Sequence, residues 1–132
     1  MKKKLHILLI EDDPDDVELL ETAFKDREEA AHFTVISQGD RVLPFLSGCE
    51  TLPDLLLLDL NLPKVHGREI LASIKAHEAY KALPVIILTT SSAQSDIDYC
   101  LSTGADFYFT KPTKLAEFYK IVNTMVETAL KN

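Results

Sequence analysis

The sequence predicts an α/β domain, a doubly wound parallel sheet covered by helices on both faces, and three observations predict it. Five short apolar runs, at 5–10, 33–36, 55–58, 84–89 and 107–110, alternate with five stretches whose apolar residues recur at helical spacing. The run Leu55-Leu56-Leu57-Leu58 has no alternating polar residue, the pattern of a strand buried on both faces, as parallel strands are. The 132 residues, 46% of them hydrophobic, suit one domain, which at this length buries about 68% of the surface its unfolded chain exposes. Such alternation calls for right-handed crossovers, and for five units the common strand order is 2-1-3-4-5.

The first strand, 5–10, is interrupted only by His6 and runs directly into Glu11-Asp12-Asp13-Pro14-Asp15-Asp16. Pro14 opens a helix with Asp13 as its N-cap. Val17, Leu20, Ala23, Phe24 and Arg27 recur at helical spacing, so the helix keeps one apolar face on the sheet until it fades near Glu29 to Ala31. A short second strand, 33–36, ends at Ser37-Gln38, and a second helix, 39–46, carries Val42, Leu43, Phe45 and Leu46, with Pro44 near its start and Gly48 at its stop. The third strand delivers Asp59, followed by a loop through Pro63 to Gly67 and a helix carrying Ile70, Leu71 and Ile74. A polar connection, 76–83, leads to the fourth strand. Thr90-Ser91-Ser92 then opens a helix with Ile97, Cys100 and Leu101 on one side and Gly104 as C-cap. The fifth strand ends at Lys111-Pro112, and the last helix packs Leu115, Phe118, Val122, Met125 and Ala129. No repeat, low-complexity tract or linker interrupts the pattern, so the expectation is a single domain over 1–132 without an output domain.

Fourteen basic against twenty-one acidic residues give a net charge of -7, which argues against a nonspecific nucleic-acid or membrane surface and leaves proteins or small ligands as partners. Cys49 and Cys100 show no CxxC or metal-ligand spacing and read as reduced thiols of a cytoplasmic protein. Met1-Lys2-Lys3-Lys4 starts like an export signal, but the apolar run behind it holds His6 and ends at Glu11 with no small-residue cleavage site. None of the apolar runs is long enough to span a membrane.

Function points to the strand tips, since open α/β sheets bind ligands in the crevice beyond them. Strand order 2-1-3-4-5 puts the tips of strands one and three side by side, so Glu11 and Asp12 meet Asp59. Three converging carboxylates repel one another unless a cation or protons compensate, and hard oxygen ligands suit Mg²⁺. Strand four offers the Thr89 hydroxyl and strand five the Lys111 ammonium, a point charge suited to phosphate oxygens. This set fits phosphoryl transfer to a carboxylate: Asp59 as nucleophile, a metal held by Asp12 and Asp59, and Lys111 and Thr89 as donors to the moving group.

With Glu11-Asp12-Asp13, Leu58-Asp59-Leu60-Asn61-Leu62-Pro63, Gly67, Thr89 and Lys111-Pro112 in this order, the sequence resembles the receiver domain of bacterial two-component response regulators, from Leu5 to about Val126. The resemblance implies a flavodoxin-like (βα)5 fold in which Asp59 accepts a phosphoryl group from a phosphohistidine on a sensor histidine kinase. It also implies Mg²⁺ held by Asp12, Asp59 and the Asn61 main-chain carbonyl, with Glu11 acting through water. Lys111 would grip the phosphoryl group, Thr89 would close on it as a switch, Tyr108 would turn inward, and the Lys111-Pro112 bond would be cis. The readout would be a face formed by helix four, strand five and helix five, open to a downstream protein, a relay partner or a second copy of the chain. Lys114, Glu117 and Lys120 mark the exposed side of the last helix. Within the family the chain is most similar to stand-alone regulators that accompany phytochrome-type kinases, through 58–68, Leu88-Thr89-Thr90-Ser91 and Thr110-Lys111-Pro112. Thr90 is larger than the Ala or Gly that many receivers place after the switch threonine.

Other polar groups have simpler readings. Asp13, Asp15 and Asp16 are explained by capping and the helix dipole, the four histidines, His6, His32, His66 and His77, show no paired ligand spacing, and Ser91 and Ser92 lack a GxSxG setting. A phosphohydrolase of the haloacid dehalogenase type is the enzyme alternative, but it needs a second Asp where this chain has Asn61. A flavodoxin-like cofactor binder is disfavoured because no Gly- or Thr-rich phosphate loop follows the first strand.

Overall fold

The computed structural model describes residues 4–25, 27 and 30–131. In chain order its elements are β1 (Leu5–Ile10), α1 (Pro14–Lys25), β2 (Ala31–Ile36), a 3-10 turn (Gly39–Arg41) running into α2 (Val42–Ser47), β3 (Leu55–Leu58), α3 (Gly67–Ala76), β4 (Val85–Thr89), α4 (Gln94–Thr103), β5 (Phe107–Thr110) and α5 (Leu115–Leu130). Every strand pair is parallel and the order is β2-β1-β3-β4-β5, as the alternation predicts.

Successive strand residues point to opposite faces, so the sheet sorts its side chains into two cores. Leu8, Ile10, Leu56, Leu58, Val85 and Ile87 pack with Val42 and Leu46 of α2, Ile70, Leu71 and Ile74 of α3, and Cys100 of α4. Leu5, Ile7, Leu9, Leu55, Leu57, Ile86 and Leu88 pack with Leu20, Ala23 and Phe24 of α1 and a stripe of α5 that runs from Phe118 to Ala129. The leucine run is therefore two interleaved pairs, one for each core, and each buried leucine contributes about 1.5–3 kcal/mol.

Several local expectations differ. Helix α1 ends at Lys25, so Arg27 lies beyond it; the fade expected near Glu29 falls outside the described residues, as does the basic start at 1–3, and Ala31 already belongs to β2. The second helix begins as a 3-10 turn, because Pro44 has no N–H to bond Asp40 in the α pattern and the chain instead closes Arg41 N–H to Gln38 O at 3.1 Å. Leu101 and Leu115, expected in the core, are 47% and 50% exposed. Helix α4 lies at the β5 edge of the sheet and fully buries only Cys100. The connection 76–83 is less polar in function than in composition: Tyr80 and Leu83 are buried, and Lys75 Nζ donates to the carbonyls of Lys81 and Leu83 at 3.2 and 2.8 Å. The Lys111-Pro112 bond is not cis; no cis peptide occurs among the described residues, in keeping with the intrinsic trans preference of about 0.5–1 kcal/mol. Among the described residues no helix is long and apolar enough to cross a membrane.

The register carries the strand tips together. Ile10 pairs with Leu58, so the next residues on the two strands are Glu11 and Asp59, and Asp59 N–H donates to Ile10 O at 3.0 Å. Gly67 then lets α3 start tightly against the end of β3. A Cβ at this position would lie 2.5 Å from the Asp59 carbonyl oxygen and 2.6 Å from Leu60 Cα, both backbone atoms. Gly67→Ala is expected to lower the urea midpoint at a cost of about 1–3 kcal/mol; an unchanged midpoint would show that the loop yields freely.

Candidate functional site

Four of the five strand ends contribute to one crevice. Glu11 leaves β1, Asp59 leaves β3, Thr89 closes β4 and Lys111 follows β5; Glu11, Asp59 and Thr89 are all buried. Carboxylate oxygens of Glu11, Asp12 and Asp59 lie within 4.8 Å of one another, and Asp12 is the exposed member. Lys111 Nζ sits among the acids, 2.8 Å from Glu11 Oε1, 2.7 Å from Asp16 Oδ2 and 3.1 Å from Asp59 Oδ2. Backbone donors hold the carboxylates in place: Asn61 N–H donates to Asp59 Oδ1 at 3.3 Å, and the Asp12 and Asp13 N–H groups donate to Glu11 Oε2 at 3.2 and 3.3 Å.

Burial and the neighbouring charges together set the direction in which each group is shifted. Burial raises the Glu11 carboxyl to about 7; the Lys111 hydrogen bond opposes this rise and the Asp59 charge adds to it. Burial pulls the Lys111 ammonium down, but hydrogen bonds to Asp16 and Glu11 and the charge of Asp59 outweigh it, so its pKa is raised and it stays protonated. One ammonium does not balance Glu11, Asp12, Asp16 and Asp59. The donor set is all hard oxygen with an exposed carboxylate at its mouth, which fits a divalent cation of the Mg²⁺ or Mn²⁺ kind.

Thr89 and Tyr108 meet at the loop after β4. Thr89 Oγ1 accepts from Ser91 N–H at 3.5 Å, and the Tyr108 hydroxyl donates to the Ser91 carbonyl at 2.8 Å. Tyr108 is half-buried and packs on the α2–α3 side of the sheet; burial first of all raises its pKa. Lys111 N–H donates to Thr89 O at 2.7 Å, which ties the two tips together. Glu11, Asp12, Asp59 and Lys111 thus meet in the crevice, Thr89 joins Lys111 through the backbone, Asn61 is tied to Asp59 through its N–H, and Tyr108 is tied to Ser91. Asp13 acts as the N-cap, accepting from Asp15 N–H at 2.9 Å. Asp16 is the residue that sequence reasoning misses, since an acid in the first turn of a helix is sufficiently explained by capping and the helix dipole. Its signal is its position at the third residue of α1, one helical turn beyond Asp12, which aims it back over the strand tips. His66 accepts from Arg68 N–H at 3.1 Å as the N-cap of α3, a structural role as expected.

The family model for the response regulator receiver domain matches residues 7–123. Response regulator Rcp1 of Synechocystis sp. is 35% identical over an alignment of 121 residues that covers 88% of this chain and 82% of that protein. The probable methanogenesis regulatory protein FilR2 of Methanothrix harundinacea is 34% identical over an alignment of 125 residues that covers 92% of this chain and 81% of that one. Among solved structures, the phosphorylated cyanobacterial phytochrome response regulator RcpA matches with a TM-score of 0.87 at 32% identity, covering 97% of this chain and 95% of that chain. The Mn²⁺-bound form of Rcp1 matches with a TM-score of 0.82 at 34% identity, covering 91% and 90%. The haloacid-dehalogenase alternative is not supported: the nucleophile candidate stands on the third strand, and Asn61 occupies the place of the second acid.

The raised Glu11 pKa has a definite sign in stability. Its proton is bound more tightly in the folded than in the unfolded chain, so its contribution is fully present below about pH 4.5 and is lost as pH rises through about 7. With metal chelated, wild type is expected to lose about 2–3 kcal/mol more than Glu11→Gln between pH 5 and pH 8 in urea unfolding. Parallel pH profiles for the two proteins would contradict the assignment.

Proposed function

Because the chain belongs to the response regulator receiver domain family, we propose that it is a phosphorylation switch in which Asp59 is the phosphoacceptor. The observation that carries this reading is the contact of Lys111 Nζ with Asp59, Glu11 and Asp16 at the joined tips of the sheet. Receivers of this family exchange phosphoryl groups with sensor histidine kinases, and the similarity to the phytochrome regulator RcpA favours a phytochrome-type kinase as donor.

The residues divide the work. An Asp59 oxygen attacks the phosphorus of the donor phosphohistidine, the P–N bond breaks, and the imidazole leaves with its electron pair. Mg²⁺ held by Asp12, Asp59 and the Asn61 main-chain carbonyl, with Glu11 acting through water, would offset charge on the transferring group. Lys111 gives up part of its contact with Asp59 and donates to a phosphoryl oxygen, while Asp16 and Glu11 keep its ammonium charged. Thr89 donates to another phosphoryl oxygen once it leaves the Ser91 N–H, and Tyr108 then follows the loop inward. The chain acts on itself and turns over no separate substrate.

The signal would leave through the face built by α4, β5 and α5, where Leu101, Phe107 and Leu115 are exposed. A downstream protein or a second copy of the chain fits that surface, and Lys114, Glu117 and Lys120 supply exposed charge along its rim. The free cysteines Cys49 and Cys100 support a cytoplasmic setting.

The test is intact mass after incubation with Mg²⁺ and a small acyl-phosphate donor. Wild type is expected to gain one phosphoryl group, with no gain in Asp59→Ala or without metal, and Lys111→Ala is expected to slow uptake about 100-fold. Equal labelling of Asp59→Ala would overturn the assignment.

A further inference from the structure

Helix α4 is held differently from the other long helices. It fully buries only Cys100, whereas α5 buries six side chains. Its first turn is instead fixed by polar contacts. Asp96 spends both carboxylate oxygens there: Arg68 Nη1, from the start of α3, approaches Oδ1 at 3.3 Å, and the Ser91 hydroxyl donates to Oδ2 at 2.7 Å. Arg68 is itself steadied by the Tyr99 ring of α4, which lies 4.1 Å from the guanidinium carbon. Ser91 is also the residue that Thr89 and Tyr108 hold, through its N–H and its carbonyl. Arg68, Asp96 and Ser91 are thus linked in series to both switch side chains.

The geometry has a consequence for movement. Movement of Thr89 toward a group on Asp59 draws its oxygen away from the Ser91 N–H, and Ser91 cannot follow without stretching its 2.7 Å bond to Asp96. Asp96 in turn is pinned to α3, whose first residue is packed against the backbone of Asp59 and Leu60. We propose that the Arg68–Asp96–Ser91 chain is a latch that holds the loop after β4 in its resting arrangement and sets how readily Thr89 and Tyr108 rearrange when Asp59 is modified. Arg68 and Asp96 act as positioning residues; neither touches the phosphoryl group. This inference rests on the switch reading above and adds its regulation.

Beryllofluoride with Mg²⁺, a phosphoryl analogue, tests it by amide shifts of wild type, Arg68→Gln and Asp96→Asn. Both variants are expected to bind the analogue roughly 3- to 10-fold more tightly than wild type, because the resting conformer has lost its restraint. Before any analogue is added, their Thr89, Ser91 and Tyr108 signals should already lie part of the way toward the bound positions. Arg68→Lys, which keeps the charge but not the planar stack on Tyr99, should fall between, and the double variant should match the single ones. Merely structural damage would weaken the analogue and Mg²⁺ together, and that result, or unchanged loop signals in folded variants, would overturn the latch. Displaced loop signals in the variants, with no response of wild type to beryllofluoride, would reject the phosphoryl-acceptor reading and the latch's part in it, and would uphold only the restraint of the resting loop.

Discussion

The Lys111 ammonium between Glu11, Asp16 and Asp59 is the interaction on which the rest of the site depends. Buried carboxylates at adjacent strand tips repel one another, and their separation is fixed by the hydrogen bonds of the sheet rather than by side-chain choice. Lys111 relieves part of that repulsion from the end of β5, two strands from β3, and burial, which raises the Glu11 carboxyl to about 7, relieves more by favouring its neutral form. What is left is a negative, oxygen-lined notch beside Asp59, open to solvent at Asp12. Such a notch favours a divalent cation and, with it, a phosphoryl group, so the electrostatic cost of assembling the site is also the source of its selectivity.

Most of the fold was legible because the sheet is buried on both faces. The unbroken apolar runs at 55–58 and 84–89 leave no reading except central parallel strands, and once those are set the order 2-1-3-4-5 joins Glu11 to Asp59. The placement of the candidate site was legible for the same reason: chemistry placed at strand ends is indexed by the strands. What escaped depended on helix-to-tip geometry. Asp16 looked like an ordinary first-turn acid, and only the observed pitch of α1 over the crevice brings it to Lys111. Leu101 and Leu115 fit a helical stripe by spacing, yet the sheet stops at the short edge strand β5 and does not extend beneath them. The 3-10 entry to α2 follows from the missing N–H of Pro44, which apolar spacing alone does not register.

The two sides of the sheet are anchored unequally, and this asymmetry suits a switch. Helix α5 lays a continuous apolar stripe on the sheet, while α4 relies on Cys100 and on a polar network around Asp96. Apolar packing is lost gradually as surfaces slide, whereas a hydrogen-bonded ion pair is either made or broken. A helix held by the second kind of contact can occupy two arrangements separated by a modest free energy, the condition for a ligand-driven population shift. Thr89 and Tyr108 sit at the junction of the rigid and the labile halves.

Anomalous diffraction from crystals grown with Mn²⁺ tests the central claim most directly, because it locates the cation without reference to activity. The account predicts one strong peak in the crevice, with carboxylate oxygens of Asp12 and Asp59 about 2.0–2.3 Å away and Lys111 still beside Asp59. A crevice without a peak while Mn²⁺ sits elsewhere on the chain would show that Lys111 and protons alone neutralise the cluster, and would contradict the account.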